Sequence, residues 1–265
     1  GDGSKHPLRP WQRHPRLIET LKSPNPAMQV AGVQLTLTAA DDGLAPLFSD
    51  EWLGTEVWPA ATALVNYLQH DEQIRRLRSA AVLVELGAGT GACGLAAAVL
   101  GARRVILTDK ESLVPAMREN TAANEHNLAG AEVSCAALLW SADDNPSFLA
   151  ELAEQGLSRG ADIVLMSDCL NPVYGETHAV ALAATLRVLL GEAAASAVEG
   201  PAPSSLPPVG LLSQTNRGEG EAEAAFFGAC ERYGMDATVV HTTTDTGQQV
   251  TIHALRLASQ STVRR

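Results

Sequence analysis

A chain of 265 residues with a formal net charge of −11, 19 Lys and Arg against 30 Asp and Glu, lacks the basic footprint of a general nucleic-acid or anionic-membrane binder. An apolar share of 46% supports a sizeable core and excludes wholesale disorder. Four cysteines (Cys93, Cys135, Cys169, Cys230) lie far apart, and seven histidines show no helical i, i+4 pairing, so reduced thiols and no metal are expected.

Residues 1–27 are proline-rich and mildly basic, which reads as an irregular arm. Residues 28–40, "MQVAGVQLTLTAA", alternate as a strand or small hairpin does. Helical spacing runs over 59–77, with Pro59 suited to a first turn. The apolar stretch 80–102 raises the question of a membrane span, but Glu85 and its glycines oppose one. No secretory signal is visible, and a cytoplasmic monomer with no membrane or nucleic-acid partner is expected. From there strand patterns at 81–86, 104–108, 132–139, 161–167 and 209–214 alternate with helical ones at 91–100, 112–127, 146–155, 175–190 and 219–233. Such βαβ alternation predicts a parallel sheet with helices on both faces. The end differs, because 236–241 and 249–257 are strand patterns joined without a helix, as in an antiparallel hairpin. The stretch 192–208, "EAAASAVEGPAPSSLPP", reads as a mobile surface loop. The division is an arm at 1–27, an extension at 28–80, a main domain at 81–258 with an insertion near 192–208, and a tail at 259–265.

Residues 85–94, "ELGAGTGACG", carry the candidate chemistry. The turn fits the dinucleotide fingerprint G-x-G-x-x-G through Gly89, Gly91 and Gly94, or through Gly87, Gly89 and Ala92. Missing side chains let backbone N–H groups approach a ligand, and the following helix offers its N-terminus to a negative group. Asp109 ends the next strand, 22 positions after Gly87 (109 − 87), where a carboxylate binds ribose hydroxyls. These features establish an adenosine-type ligand. Glu85 would repel a pyrophosphate but suit a ligand carrying an ammonium and a sulfonium. With the E-x-G-x-G-x-G run (Glu85, Gly87, Gly89, Gly91) and the terminal hairpin, it favours S-adenosylmethionine over a nicotinamide dinucleotide. A tight turn that holds no ligand is the plainer alternative.

Four segments in order, "GTEVWPAATALVNYL" (54–68), "VLVELGAGTGACGLAAAVLGARRVILTD" (82–109), "LLW" (138–140) and "DIVLMSDCLNPVYGE" (162–176), together resemble the family-16 or methyltransferase-like 21 group of protein lysine methyltransferases. The resemblance implies an α/β, Rossmann-like seven-stranded methyltransferase sheet ending in an antiparallel hairpin, S-adenosyl-L-methionine as cofactor and a protein substrate. It implies that Trp58 borders the methionine end of the cofactor, Gly87, Ala88 and Gly89 run along it, and Asp109 binds the ribose. Trp140 would lie beside the adenine and Ser167 at the exit of the fourth strand, with Asp168 orienting the incoming amine. The family's D-x-x-Y signature is altered: Asn171 stands at the tyrosine position, and Tyr174, three residues later, is expected to wall the substrate channel. Trp58 and Trp140 could instead be core aromatics, and Glu85 could cap the neighbouring backbone. "NPVY" (171–174) also resembles the N-P-P-Y/F motif of methyltransferases acting on amide or base nitrogens, three residues out of register. A scaffold that binds the cofactor without transferring methyl is a further alternative.

Overall fold

The computed structural model describes residues 28–38, 54, 56–142, 146–196, 206–218 and 220–258. The expected arm at 1–27, the tail at 259–265 and most of the Pro-Ala-Ser stretch (197–205) lie outside these residues.

A small hairpin comes first, β1 (Met28–Val30) against β2 (Val33–Leu35). Its two-residue turn, Ala31 and Gly32, has both φ angles positive (49° and 82°), as tight hairpin turns require. The single helix expected over 59–77 is two helices, α1 (Pro59–Leu68) and α2 (Asp71–Ser79), broken by an extended His70 (φ −70°, ψ 141°). Charge explains the break. Asp71 and Glu72 oppose the negative end of a helix that has just run ten residues, but favour the first turn of a new one.

The main sheet comprises β3 (Leu83–Leu86), β4 (Arg104–Asp109), β5 (Glu132–Ala137), β6 (Ile163–Ser167), β7 (Val209–Thr215), β8 (Met235–Thr243) and β9 (Val250–Leu257). Its order is β5-β4-β3-β6-β7-β9-β8. The first five pair in parallel, and β9 inserts antiparallel between β7 and β8. The connecting helices are α3 (Ala92–Val99), α4 (Val114–Asn124), α5 (Pro146–Glu154), α6 (Gly175–Ser196) and α7 (Glu221–Arg232). Helix α6 continues to Ser196, past the expected loop start at 192, because "EAAAS" is good helix material and the first proline comes only at 201.

Strand side chains alternate between two apolar clusters, one on each face. Leu83, Val105, Leu107, Ile163 and Leu165 pack with α1 and α3, whereas Val84, Leu86, Ile106, Val164 and Met166 pack with α6 and α7. No described helix is long and apolar enough to cross a membrane.

The extension is stitched to the main domain by two fully buried asparagines on α4. Asn124 accepts from the Thr36 N–H (2.9 Å) and donates to the Thr36 carbonyl (2.7 Å). Asn120 accepts from the Thr38 N–H (2.9 Å) and donates to the Thr90 carbonyl (3.0 Å). The helix thus lends two side-chain amides to the segment that follows β2, whose backbone lies outside the hairpin's own pairing.

Candidate functional site

A cleft with about 980 Å3 of empty space, partly continuous with solvent, crosses the carboxyl ends of β4, β3, β6 and β7. Ligands bind at such strand ends in open α/β sheets. All ten residues singled out from sequence line it: Trp58, Glu85, Gly87, Ala88, Gly89, Asp109, Trp140, Ser167, Asp168 and Tyr174.

The β3–α3 turn is shaped by its glycines. Gly87 and Gly89 have φ of 65° and 52°, and a Cβ on Gly89 would run into the Gly54 carbonyl oxygen. The Gly89 N–H donates to Asp109 Oδ2 (2.8 Å) and the Lys110 N–H to Asp109 Oδ1 (2.7 Å). Asp109 therefore stands fixed at the end of β4, with lone pairs remaining on both oxygens; burial pushes its pKa up. Glu85, only 2% exposed, accepts the Gly94 N–H at 2.7 Å and so serves the first turn of α3. Burial raises its pKa to about 7. The capping alternative is thus realised while Glu85 still borders the cleft.

The wall contributed by β6 and β7 is built from side chains. Asp168 has a left-handed backbone (φ 53°), unusual for a residue other than glycine. Both its oxygens are engaged. Oδ1 accepts from the Thr215 N–H (2.9 Å) and Arg217 Nη1 (2.9 Å), and Oδ2 from Thr215 Oγ1 (2.8 Å) and Arg217 Nη2 (3.0 Å). The Arg217 guanidinium carbon lies 5.5 Å from the centre of the Trp58 ring. Beside the pair, the buried Ser167 Oγ has no hydrogen-bond partner among the described residues.

After Asp168 the chain turns through Asn171, whose side chain accepts the Val173 N–H (3.1 Å) and opens a 3-10 turn at Pro172–Tyr174. This turn carries Tyr174 to the cleft although the D-x-x-Y spacing is lost. Trp140 and His178 (ring centres 4.5 Å apart), Tyr174 (5.1 Å from His178) and Lys110 Nζ (5.3 Å from the Tyr174 centre) form a row along the rim. Burial and nearby Lys110 lower the His178 pKa.

A family model described as lysine methyltransferase matches residues 49–198, more than half of the chain and every segment of this cleft except the Arg217 loop. The chain belongs to the lysine methyltransferase family. Within it, protein N-lysine methyltransferase METTL21A of Xenopus tropicalis is 36% identical over 112 residues, 42% of this chain and 48% of the relative. A secreted RxLR effector protein 48 of Plasmopara viticola is 31% identical over 111 residues, 39% of this chain and 54% of that protein. The chain spans about half the length of the curated relatives it matches. Among solved structures, a candidate RNA methyltransferase of Pyrococcus horikoshii aligns with a TM-score of 0.51 at 16% identity, covering 80% of this chain and 91% of that one. That likeness is one of fold alone.

The cofactor of this lysine methyltransferase family member is S-adenosylmethionine. The residues present fit it. The glycine turn lines the cleft, the Asp109 carboxylate sits one strand away, and an unpartnered buried hydroxyl borders the cleft. Sequence reasoning did not single out Lys110, His178, Thr215 or Arg217. A signal for the last two existed: β7 is buried throughout yet ends in Ser213, Gln214 and Thr215, polar groups that need partners.

Proposed function

We propose that the protein transfers a methyl group from S-adenosylmethionine to a lysine side chain of a protein substrate. The observation that carries the reading is the convergence of ten residues from four separate sequence segments on one cleft at the sheet's carboxyl edge. Membership of the lysine methyltransferase family supports the choice of lysine.

Bound there, the cofactor supplies an electrophilic methyl on a sulfonium. Gly87, Ala88 and Gly89 give the ligand a mostly backbone surface, with Ala88's methyl the one side chain among them, and Asp109 offers its free lone pairs to the ribose hydroxyls. Trp140 flanks the adenine, Trp58 borders the methionine end, and Ser167 Oγ completes a polar contact that the described residues leave open. Glu85 acts mainly by holding the first turn of α3 in place. Asp168, with both oxygens taken by Thr215 and Arg217, shapes the amine's site by holding that arginine rather than by bonding the amine, and Tyr174 walls the channel. Alignment of nucleophile, methyl carbon and leaving group accounts for much of the acceleration. The amine must arrive neutral, since the ammonium of free lysine, pKa near 10.4, has no lone pair.

The test is radiolabel transfer to proteins of a cell extract, followed by mass spectrometry of the modified residue. Labelled lysine upholds the reading. Label on glutamine would shift it to the amide-nitrogen alternative that "NPVY" suggests. Tight S-adenosylhomocysteine binding with no label in any protein would leave a cofactor-binding scaffold. Unchanged transfer and cofactor binding in Asp168→Ala would remove Asp168 from the site.

A further inference from the structure

The largely buried Arg217 occupies both oxygens of Asp168, the carboxylate that follows β6 in the cleft. The strand order gives this its meaning. A ligand with its ribose at the end of β4 and its amino-acid portion across the turn after β3 has its reacting centre directed at the next strands, β6 and β7. Neighbouring strands lie about 4.8 Å apart, so Asp168 and Arg217 fall beside the point where methyl and amine meet. The bidentate bridge, with contacts of 2.9 and 3.0 Å, fixes the guanidinium there, and Trp58 covers it. The Arg217 side chain is 19% exposed and that of Asp168 3%, so water screens the pair weakly.

Resting on the methyltransferase reading, we infer that Arg217 sets the protonation state of the substrate amine: by cancelling the Asp168 charge, it withholds the counter-ion that Asp168 would otherwise give the ammonium form and selects the neutral amine. A free Asp168 carboxylate would do the opposite, binding the ammonium and holding it unreactive. Other titratable groups face the pair. Glu223 on α7 interacts with both partners, and its own pKa is raised by burial. Glu56 lines the cleft ahead of α1, Cys169 follows Asp168, and Glu85 and Asp109 lie at the ends of β3 and β4. Glu85 and Asp109 are committed to backbone N–H groups, and burial keeps the Cys169 thiol protonated. Arg217 is therefore a positioning residue acting through Asp168 and through charge.

The probe is sinefungin, a cofactor analogue with a primary amine in place of the methylated sulfur, compared by calorimetry with S-adenosylhomocysteine on the full chain. Replacing Arg217 by Gln should tighten sinefungin relative to S-adenosylhomocysteine roughly tenfold at pH 7, the equivalent of one pKa unit, and Arg217→Lys should leave the ratio near wild type. An unchanged ratio in Arg217→Gln overturns the inference. Equal weakening of both ligands does so too, because it assigns Arg217 to the cofactor's carboxylate. Should Arg217→Gln fail to fold, the wild type decides: sinefungin affinity should rise between pH 7 and 9 while S-adenosylhomocysteine stays level, and parallel pH profiles overturn the inference. Neither measurement needs turnover. An inactive protein that passes keeps the inference and loses the proposed reaction; an active one that fails keeps the reaction and loses the inference. In an active protein, Arg217→Gln should also move the pH profile of methyl transfer upward by about one unit.

Discussion

The two halves of the cleft are built from different materials. The half at β3 and β4 is mostly backbone: glycines with positive φ, N–H groups of the turn and of a helix start, and two carboxylates, Asp109 and Glu85, that accept from them. The half at β6 and β7 is side chain upon side chain, with Asp168, Thr215, Arg217 and Trp58 meeting across separations of up to 159 residues (217 − 58). The first half suits a ligand that never changes. The second can be altered one residue at a time, as the displaced tyrosine at 174 illustrates, without disturbing the turn.

That contrast can be broken by substitution, and the largest effect belongs to the backbone half. Gly89→Val places a branched side chain at φ 52° against the Gly54 carbonyl, and should weaken S-adenosylhomocysteine on the order of 100-fold or more by calorimetry. Near-normal binding would show that the turn can reshape. Asp168→Ala leaves a largely buried guanidinium without its partner. Chemical denaturation should report a loss of roughly 3 kcal/mol, while the folded fraction binds S-adenosylhomocysteine within a few-fold of wild type.

Glu85 gives the next effect, of similar size but visible only against pH. Its carboxyl ionises at about 7 in the fold against 4.5 ordinarily, so between these values the folded protein holds a proton that the unfolded chain has released. Its contribution to stability is full below pH 4.5, falls as pH rises toward 7, and is lost above it, a swing of roughly 3 kcal/mol. Glu85→Gln should remove that part of the pH dependence in unfolding curves measured from pH 5 to pH 8. The smallest expected change sharpens the side-chain half: Tyr174→Phe keeps the ring beside His178 and should alter transfer less than threefold, whereas Tyr174→Ala should raise the substrate KM about tenfold.

The same contrast decides what could be read from the chain. Gly87, Gly89 and Asp109 announce themselves because glycines and an acid stand at fixed local spacing, with strand and helix periods on both sides. Arg217 announced nothing of the kind. Its partner lies 49 positions away, and only the parallel register of β6 and β7 brings them together. The break at His70 was missed for a simpler reason: apolar spacing persists across it, and the deciding feature is the charge of Asp71 and Glu72 relative to the helix end. Helix α6 ran longer than expected because alanine and serine suit both a loop and a last helical turn, and composition alone does not separate them.

Asn120 gives the hairpin at the start of the described chain a stake in ligand binding. One buried amide holds Thr38 on one side and the carbonyl of Thr90, within the glycine turn, on the other. If the turn tightens around a ligand, slower amide exchange at Thr38, more than fifty positions earlier, is the expected signature of that link. Conversely, a version of the protein cut to begin at residue 81 would strip both asparagines of their bonds to Thr36 and Thr38 and leave the Asn120 side chain only its contact with the Thr90 carbonyl. The hairpin segment and the glycine turn are thus joined through one buried side chain.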